Sequence, residues 1–498
     1  MERIKKSLIL LIIFSIFFVP AIASAKTNIN EEMMYKILVD RFNIGEQQKS
    51  EQVRIDDPYA FHGGDLKGVS AKLGEIEALG YTAISLSSMM KNAPDGYHGY
   101  WIEDFFEIDE EFGSMEQLHK VTKDAEKRNI KIILELALNF VADSHPFVGD
   151  EEKSDWLMEV DIPLTDSTYW LENVFQLDQD NPDVQEYLLS VIEYWMDETD
   201  VAGFNLHAVE QMSPDFLEKL VDFVNEKEDS FYLFGTILDE TASRDHLAEY
   251  ADDILIENYA MHNAMLEVFS EVGNPVEPIY DAWEQSTGEA AYMFVDDEHS
   301  KRFSQLVAEN GRNPATAWKL ALTYMYTAPG IPVILQGSEF SMFGEGFPET
   351  QRLVPFHSAD QELEQFFYRI ASLKKEFPAL RKGSFELVDS SGAMSVFKRT
   401  YEDEAIYIAI NNDEKSQTIN VEEIEEGKRL RGIMEDNLVV ANDDGSFTLG
   451  IPRETVEIYL IEEDVGINWL FISFVGGIFL LFIIAVIYLS IKQKARSK

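Results

Sequence analysis

From residue 33 to about 375, short runs rich in β-branched and aromatic residues alternate with longer stretches whose apolar side chains return every three or four positions. The short runs predict strands at 34–39, 83–87, 131–138, 203–207, 231–236, 254–257, 291–295 and 333–336. The stretches at 115–128, 184–196 and 214–227 have the spacing of amphipathic helices. Strand and helix repeated eight times predict an α/β fold, a closed (β/α)8 TIM barrel with its functional groups at the C-terminal strand ends. A doubly wound sheet, the alternative from alternation alone, needs fewer units in this length. The connection between the third and fourth strands, roughly 60 residues, is too long for a plain crossover, so 143–180 is expected to form an insertion of its own. After residue 374 the period changes to two, with turn signals such as Asn411-Asn412-Asp413, which predicts a C-terminal antiparallel β domain over 385–463.

The two ends are patterned differently. Arg3, Lys5 and Lys6 precede the apolar run 8–19, and Pro20 and the triplet Ala23-Ser24-Ala25 follow, as in a signal peptide over 1–25 cleaved before Lys26. This places the barrel domain at 26–384. Residues 465–491 carry no charge, and Lys492, Lys494, Arg496 and Lys498 come directly after, which predicts one transmembrane helix over 467–491 and a basic cytoplasmic tail over 492–498. Trp469 and Tyr488 stand near the ends of that run, where amphipathic rings meet headgroups. The expected location is therefore the cell membrane, single-pass, with the N-terminal domain outside.

Composition narrows the function classes. Against 41 Lys and Arg stand 90 Asp and Glu, a net charge of −49, which excludes a nucleic-acid partner because a polyanion is repelled over most of the surface. With no cysteine in the chain, disulfides, thiolate metal sites and cysteine nucleophiles are excluded together.

Seven strings carry a resemblance: ILVDRF at 37–42, FHGGDLKG at 61–68, YHGYWIEDFFEID at 97–109, FGSMEQLHKV at 112–121, NPDVQEYLL at 181–189, FVDDEHSKRF at 294–303 and TAPGIPVILQGSEF at 327–340. Their order, with the barrel, the insertion and the C-terminal β domain, resembles the alpha-amylase family of retaining glycoside hydrolases. The resemblance implies a carboxylate nucleophile and a carboxylic acid flanking a glycosidic bond. At the positions that would hold them this chain differs. GFNLHAVEQ puts Asn205 at the family's Arg and His207 at the nucleophile Asp, FGTILDE puts Thr236 at the acid/base Glu, and FVDDEHS puts Glu298 and His299 at the final His-Asp pair. Neither an imidazole nor a threonine hydroxyl does that chemistry at neutral pH.

The expectation is thus a catalytically inactive, membrane-anchored extracellular pseudo-glycosidase of the family. Its carbohydrate ligand, an α-glucan or a related sugar, would be met by Tyr97, His98 and Tyr100, which match the family's sugar-contacting string. The resemblance also implies calcium at Asn139, with a second ligand from the insertion where Gln176 stands; no other cofactor is implied. Two other functions remain open at this point. One is a scaffold that recruits a protein partner in the membrane or envelope, with Ser473, Gly476 and Gly477 giving its helix a close-packing face. The other is an active, divergent α-glucan hydrolase with relocated carboxylates drawn from Glu210, Asp239, Glu240 and Glu298. The convergence of His98, His207 and His299 admits a zinc site or a pH-sensitive cluster beside three separately hydrogen-bonded histidines.

Overall fold

The computed structural model describes residues 29–45, 53–286, 291–358, 360–422, 424–464, 466 and 469–496. The predicted signal peptide lies outside the described residues.

Eight parallel strands form the barrel: β1 (Met34–Ile37), β2 (Ala83–Leu86), β3 (Lys131–Leu136), β4 (Gly203–Leu206), β5 (Tyr232–Gly235), β6 (Ile254–Ile256), β7 (Ala291–Met293) and β8 (Gly330–Leu335). Each coincides with a predicted strand to within a few residues. Most strand positions are buried, so the strands read as largely apolar runs, interrupted by single polar residues such as Lys36, Glu135 and Asn205. Neighbours pair in order from β1 to β6, and β1 pairs with β8, which pairs with β7. The ring closes between β6 and β7 through the bridge Glu257–Tyr292.

The crossover helices start where the chain offers a side-chain acceptor to their unpaired N–H groups. Asp65 caps Leu66–Ala78 by accepting from the Gly68 N–H, Ser114 caps Met115–Glu126, and Ser213 caps Pro214–Lys227, where Pro214 also fixes the first turn. Their apolar faces pack onto the outside of the barrel. Leu118, Val121 and Ala125 in one helix, and Phe216, Leu217, Leu220 and Val224 in another, are all buried.

The insertion begins earlier than its sequence bounds suggest. Phe140–Ala142 already pairs antiparallel with Val174–Leu177, which pairs in turn with Leu157–Met158. A hairpin missed in the sequence, Met90–Asn92 with Ile102–Ile108, stands beside it over the barrel mouth.

The C-terminal β domain has a six-stranded antiparallel sheet in the order Ser384–Ser391, Met394–Tyr401, Glu404–Asn411, Thr455–Glu463, Lys428–Gly432, Leu438–Val440. A two-stranded ribbon, Gln417–Val421 with Phe447–Ile451, covers it, and Met394, Val396, Ile419, Leu430 and Leu449 fill the space between. Asn412 ties the domain to the barrel by donating to the carbonyls of Val268, Glu271 and Asn274, and Arg312 pairs with Glu454 at 2.8 Å.

Trp469–Arg496 is a single helix, and its window Ile472–Ser490 is long and apolar enough, by length and composition, to cross a bilayer. Lys492, expected to open a separate tail, continues that helix.

Candidate active site

The C-terminal strand ends of the barrel bring together one lysine, three glutamates and a stack of rings. Lys36 points inward from β1, and its ammonium lies 3.0 Å from Glu298 Oε2 and 3.5 Å from Glu257 Oε1. The two carboxylates thus share one ammonium. Glu257 follows β6 and is fixed by a hydrogen bond that its Oε2 accepts from the Ile237 N–H at 2.9 Å. Burial pushes its carboxyl up to about 7, with Lys36 pulling the other way. Glu135, near the end of β3, is likewise raised to about 7 by burial, while Lys36 opposes and Glu298 adds to the rise. Lys36 is desolvated too, yet the two glutamates outweigh this and hold it firmly as an ammonium. The centre therefore has one permanent cation and carboxyls that exchange protons near neutrality.

Above this lies the ring stack. The Tyr100 ring lies on His207 with centroids 3.9 Å apart and 19° between planes, and His98 also stacks with Tyr100 at 5.3 Å. His98 Nδ1 accepts from the Tyr100 N–H at 3.1 Å. Tyr97 donates its hydroxyl to Gln351 Oε1 at 2.9 Å, and the Arg41 guanidinium lies 3.7 Å over its ring. Tyr97, His98 and Tyr100 are thus brought together as the sequence suggests, but they are 0%, 4% and 9% exposed and form a packed floor.

The three residues that the resemblance sets at the reacting positions, His207, Thr236 and His299, follow β4, β5 and β7. His207, after β4, has Nδ1 3.8 Å from Glu135 Oε1, and burial keeps its ring neutral by lowering its pKa well below the usual value. Burial, with Arg41 and His299 adding, takes His98 down to about 3. Thr236 is buried, and its N–H donates to the Leu206 carbonyl, so it serves the barrel backbone. His299 is half-buried, its N–H held by Asp297 Oδ1 at 2.6 Å. It lines a cleft of about 640 Å³ with Thr165, Asp166, Lys301 and Phe347. Among the described residues no three His, Cys, Asp or Glu side chains are arranged to hold a metal, so the histidines do not form the zinc cluster weighed above.

The other acids suggested as relocated carboxylates do not join the centre, apart from Glu298. Glu210 Oε1 accepts from the Leu238 and Asp239 N–H groups, Asp239 caps its own turn through Thr241, and Glu240 is exposed. Sequence reasoning missed Lys36 and Glu257. Lys36 was detectable, because a lysine inside an apolar strand covered on both faces has to be paired.

The calcium expected at Asn139 does not fit the donors present. Asn139 Oδ1 accepts from Gln179 Nε2 at 2.8 Å, its Nδ2 donates to the His207 and Ala208 carbonyls, and Gln176 pairs with Phe140 in the insertion sheet instead.

A closed (β/α)8 barrel with a small sheet inserted after β3 and a C-terminal β domain defines a class of glycoside-hydrolase-like proteins. The family profile described as alpha amylase, catalytic domain, matches residues 36–170, and that described as alpha-amylase C-terminal domain matches 383–459. An Anoxybacillus alpha-amylase structure is 35% identical, with a TM-score of 0.82 over 88% of this chain and 99% of that one. The alpha-amylase of Geobacillus thermoleovorans complexed with acarbose is also 35% identical, with a TM-score of 0.81 over 88% of this chain and all of its own. The chain belongs to the alpha-amylase family. An intracellular maltogenic amylase of Bacillus subtilis is 25% identical over 429 residues, 80% of this chain and 71% of that protein.

These relatives correct two expectations. A membrane-anchored extracellular pseudo-glycosidase is not what they indicate: all three are named as amylases. Nor is a single-pass exported location supported, since the Bacillus subtilis relative is named intracellular.

Proposed function

We propose that this protein acts on α-linked glucans in the cleft over the barrel mouth, using the carboxyls around Lys36 in place of those at the family's strand ends. His207, Thr236 and His299 leave the family positions without an acid, so in this reading the chain departs from the family pattern in where its reacting groups sit. The reading is carried by Glu257 and Glu298, which both lie within ion-pair distance of one ammonium. With its carboxyl raised to about 7, Glu257 is suited to donate a proton to a leaving glycosidic oxygen at neutral pH. Glu298, which is half-buried next to the cleft residue His299, supplies the second carboxylate as nucleophile or base. The half-buried rings of Tyr169 and Phe347, stacked with centroids 5.1 Å apart, offer an apolar wall for a pyranose face, and Tyr97, His98 and Tyr100 form the floor beneath it. The acarbose complex of the Geobacillus relative supports an α-glucan as the substrate class.

The test is release of reducing sugar from maltooligosaccharides by the purified full chain. Turnover is expected, and Glu257→Gln and Glu298→Gln are each expected to lower it at least about 100-fold, in line with loss of a positioned acid or base. Binding of the sugars with no release by the unaltered chain overturns the reading.

A further inference from the structure

At the junction of β3, β4 and the insertion, four oxygen atoms face inward: the carbonyls of Leu138, His207 and Ala208, and Asn139 Oδ1. Oxygens converging in this way are the ordinary setting for a hard divalent cation, and the family resemblance led to that expectation. Here they are met by two primary amides. Asn139 Nδ2 donates to the His207 and Ala208 carbonyls at 3.0 and 2.8 Å, and Gln179 Nε2 donates to the Leu138 carbonyl and to Asn139 Oδ1 at 3.2 and 2.8 Å. Two NH₂ groups have four N–H donors, and all four are used. The orientation of both amides is settled by the acceptors, because backbone carbonyls cannot donate.

We propose that Gln179 takes the place of a metal ion in this protein, so that the junction is held by hydrogen bonds alone and its stability does not depend on calcium. The remaining atoms of Gln179 extend the hub. Its Oε1 accepts from the Ser213 N–H at 3.0 Å, and its carbonyl accepts from Gln185 Nε2 at 2.7 Å, which joins the helices Pro182–Glu198 and Pro214–Lys227 to the same point. Lys219 then donates to Gln185 Oε1 at 2.7 Å. Ala208, whose carbonyl Asn139 holds, sits in the left-handed region at φ 53°, a conformation that a residue with a Cβ adopts only when its surroundings hold it there. The amide pair thus fixes the turn directly after His207.

A cation at this point would need Asn139 Oδ1 turned away from Gln179 and a carboxylate to balance its charge, and neither Asn139 nor Gln179 supplies one. The test is thermal unfolding of the intact, untagged chain in EDTA and in millimolar calcium chloride. The midpoint is expected to be the same in both to within about 1 °C, whereas Gln179→Asp, which places a carboxylate among the four oxygens, is expected to unfold several degrees higher in calcium than in EDTA. Gln179→Leu keeps the bulk and removes the donors, and is expected to lose the same number of degrees in both buffers. An unaltered chain whose midpoint falls in EDTA and recovers with calcium overturns the proposal, whether or not either variant folds.

Discussion

Lys36→Met is expected to lower the free energy of unfolding by about 3–5 kcal/mol at pH 8, because it strands buried acidic groups without their counter-charge. Lys36 is the only group within ion-pair distance of both Glu257 and Glu298 among the described residues. The sign of the pH dependence follows from the raised carboxyls. Glu257 and Glu135 titrate at about 7 in the fold against an ordinary value of 4.5, so the folded state holds protons through that window that the unfolded chain has released. Their contribution is fully present below pH 4.5 and is lost as pH rises through 7. Removing the ammonium enlarges this effect, so the penalty of the substitution should be clearly smaller at pH 5 than at pH 8. Urea unfolding curves at the two pH values measure it, and an equal penalty at both would show that the lysine acts through packing alone.

Gly330→Ala is expected to cost more than about 4 kcal/mol, combining backbone strain with a clash that cannot relax. Gly330 opens β8 at φ 121°, and an added Cβ would stand 2.1 Å from the Ala291 carbonyl oxygen and 2.4 Å from its nitrogen. Both atoms belong to the adjacent strand β7, paired to β8 at that residue. Gly273→Ala is the control. It has a similar positive φ of 94° but open space around it, so strain alone should cost about 1 kcal/mol. Denaturant midpoints of the two variants separate the contributions, and equal losses would mean that the strand pair yields at little cost.

The barrel was readable from the chain because a parallel strand buried on both faces leaves an apolar run that breaks cleanly at polar and turn residues. The same rule hid other strands. Lys428–Gly432 has only Leu430 facing the core, while Arg429 pairs with Glu462 on the neighbouring strand, and a segment so rich in charge does not stand out as sheet. The hairpin Met90–Asn92 with Ile102–Ile108 has register shifts that break its alternation. For the site, local strings located His207, Thr236, His299 and the ring loop, because they lie at strand ends that the pattern already marked. What they could not show is which inward side chains meet across the ring. Lys36 and Glu298 are 262 positions apart and touch only because the barrel closes. Nor could the strings show that Tyr97, His98 and Tyr100 would pack under other groups instead of facing the cleft.

The closing joint of the barrel sets where it is most compliant. Among the described residues every other pair of neighbouring strands is laced by three or four matched positions, but β6 and β7 meet at one, and Glu257 is half of it. Thermal breathing of the cylinder will concentrate at that seam, with amide exchange along β7 running ahead of that along β8. Glu257 stands on that seam, and its raised carboxyl owes its shift to burial, so opening of the seam is expected to ease its proton toward the ordinary carboxylate range.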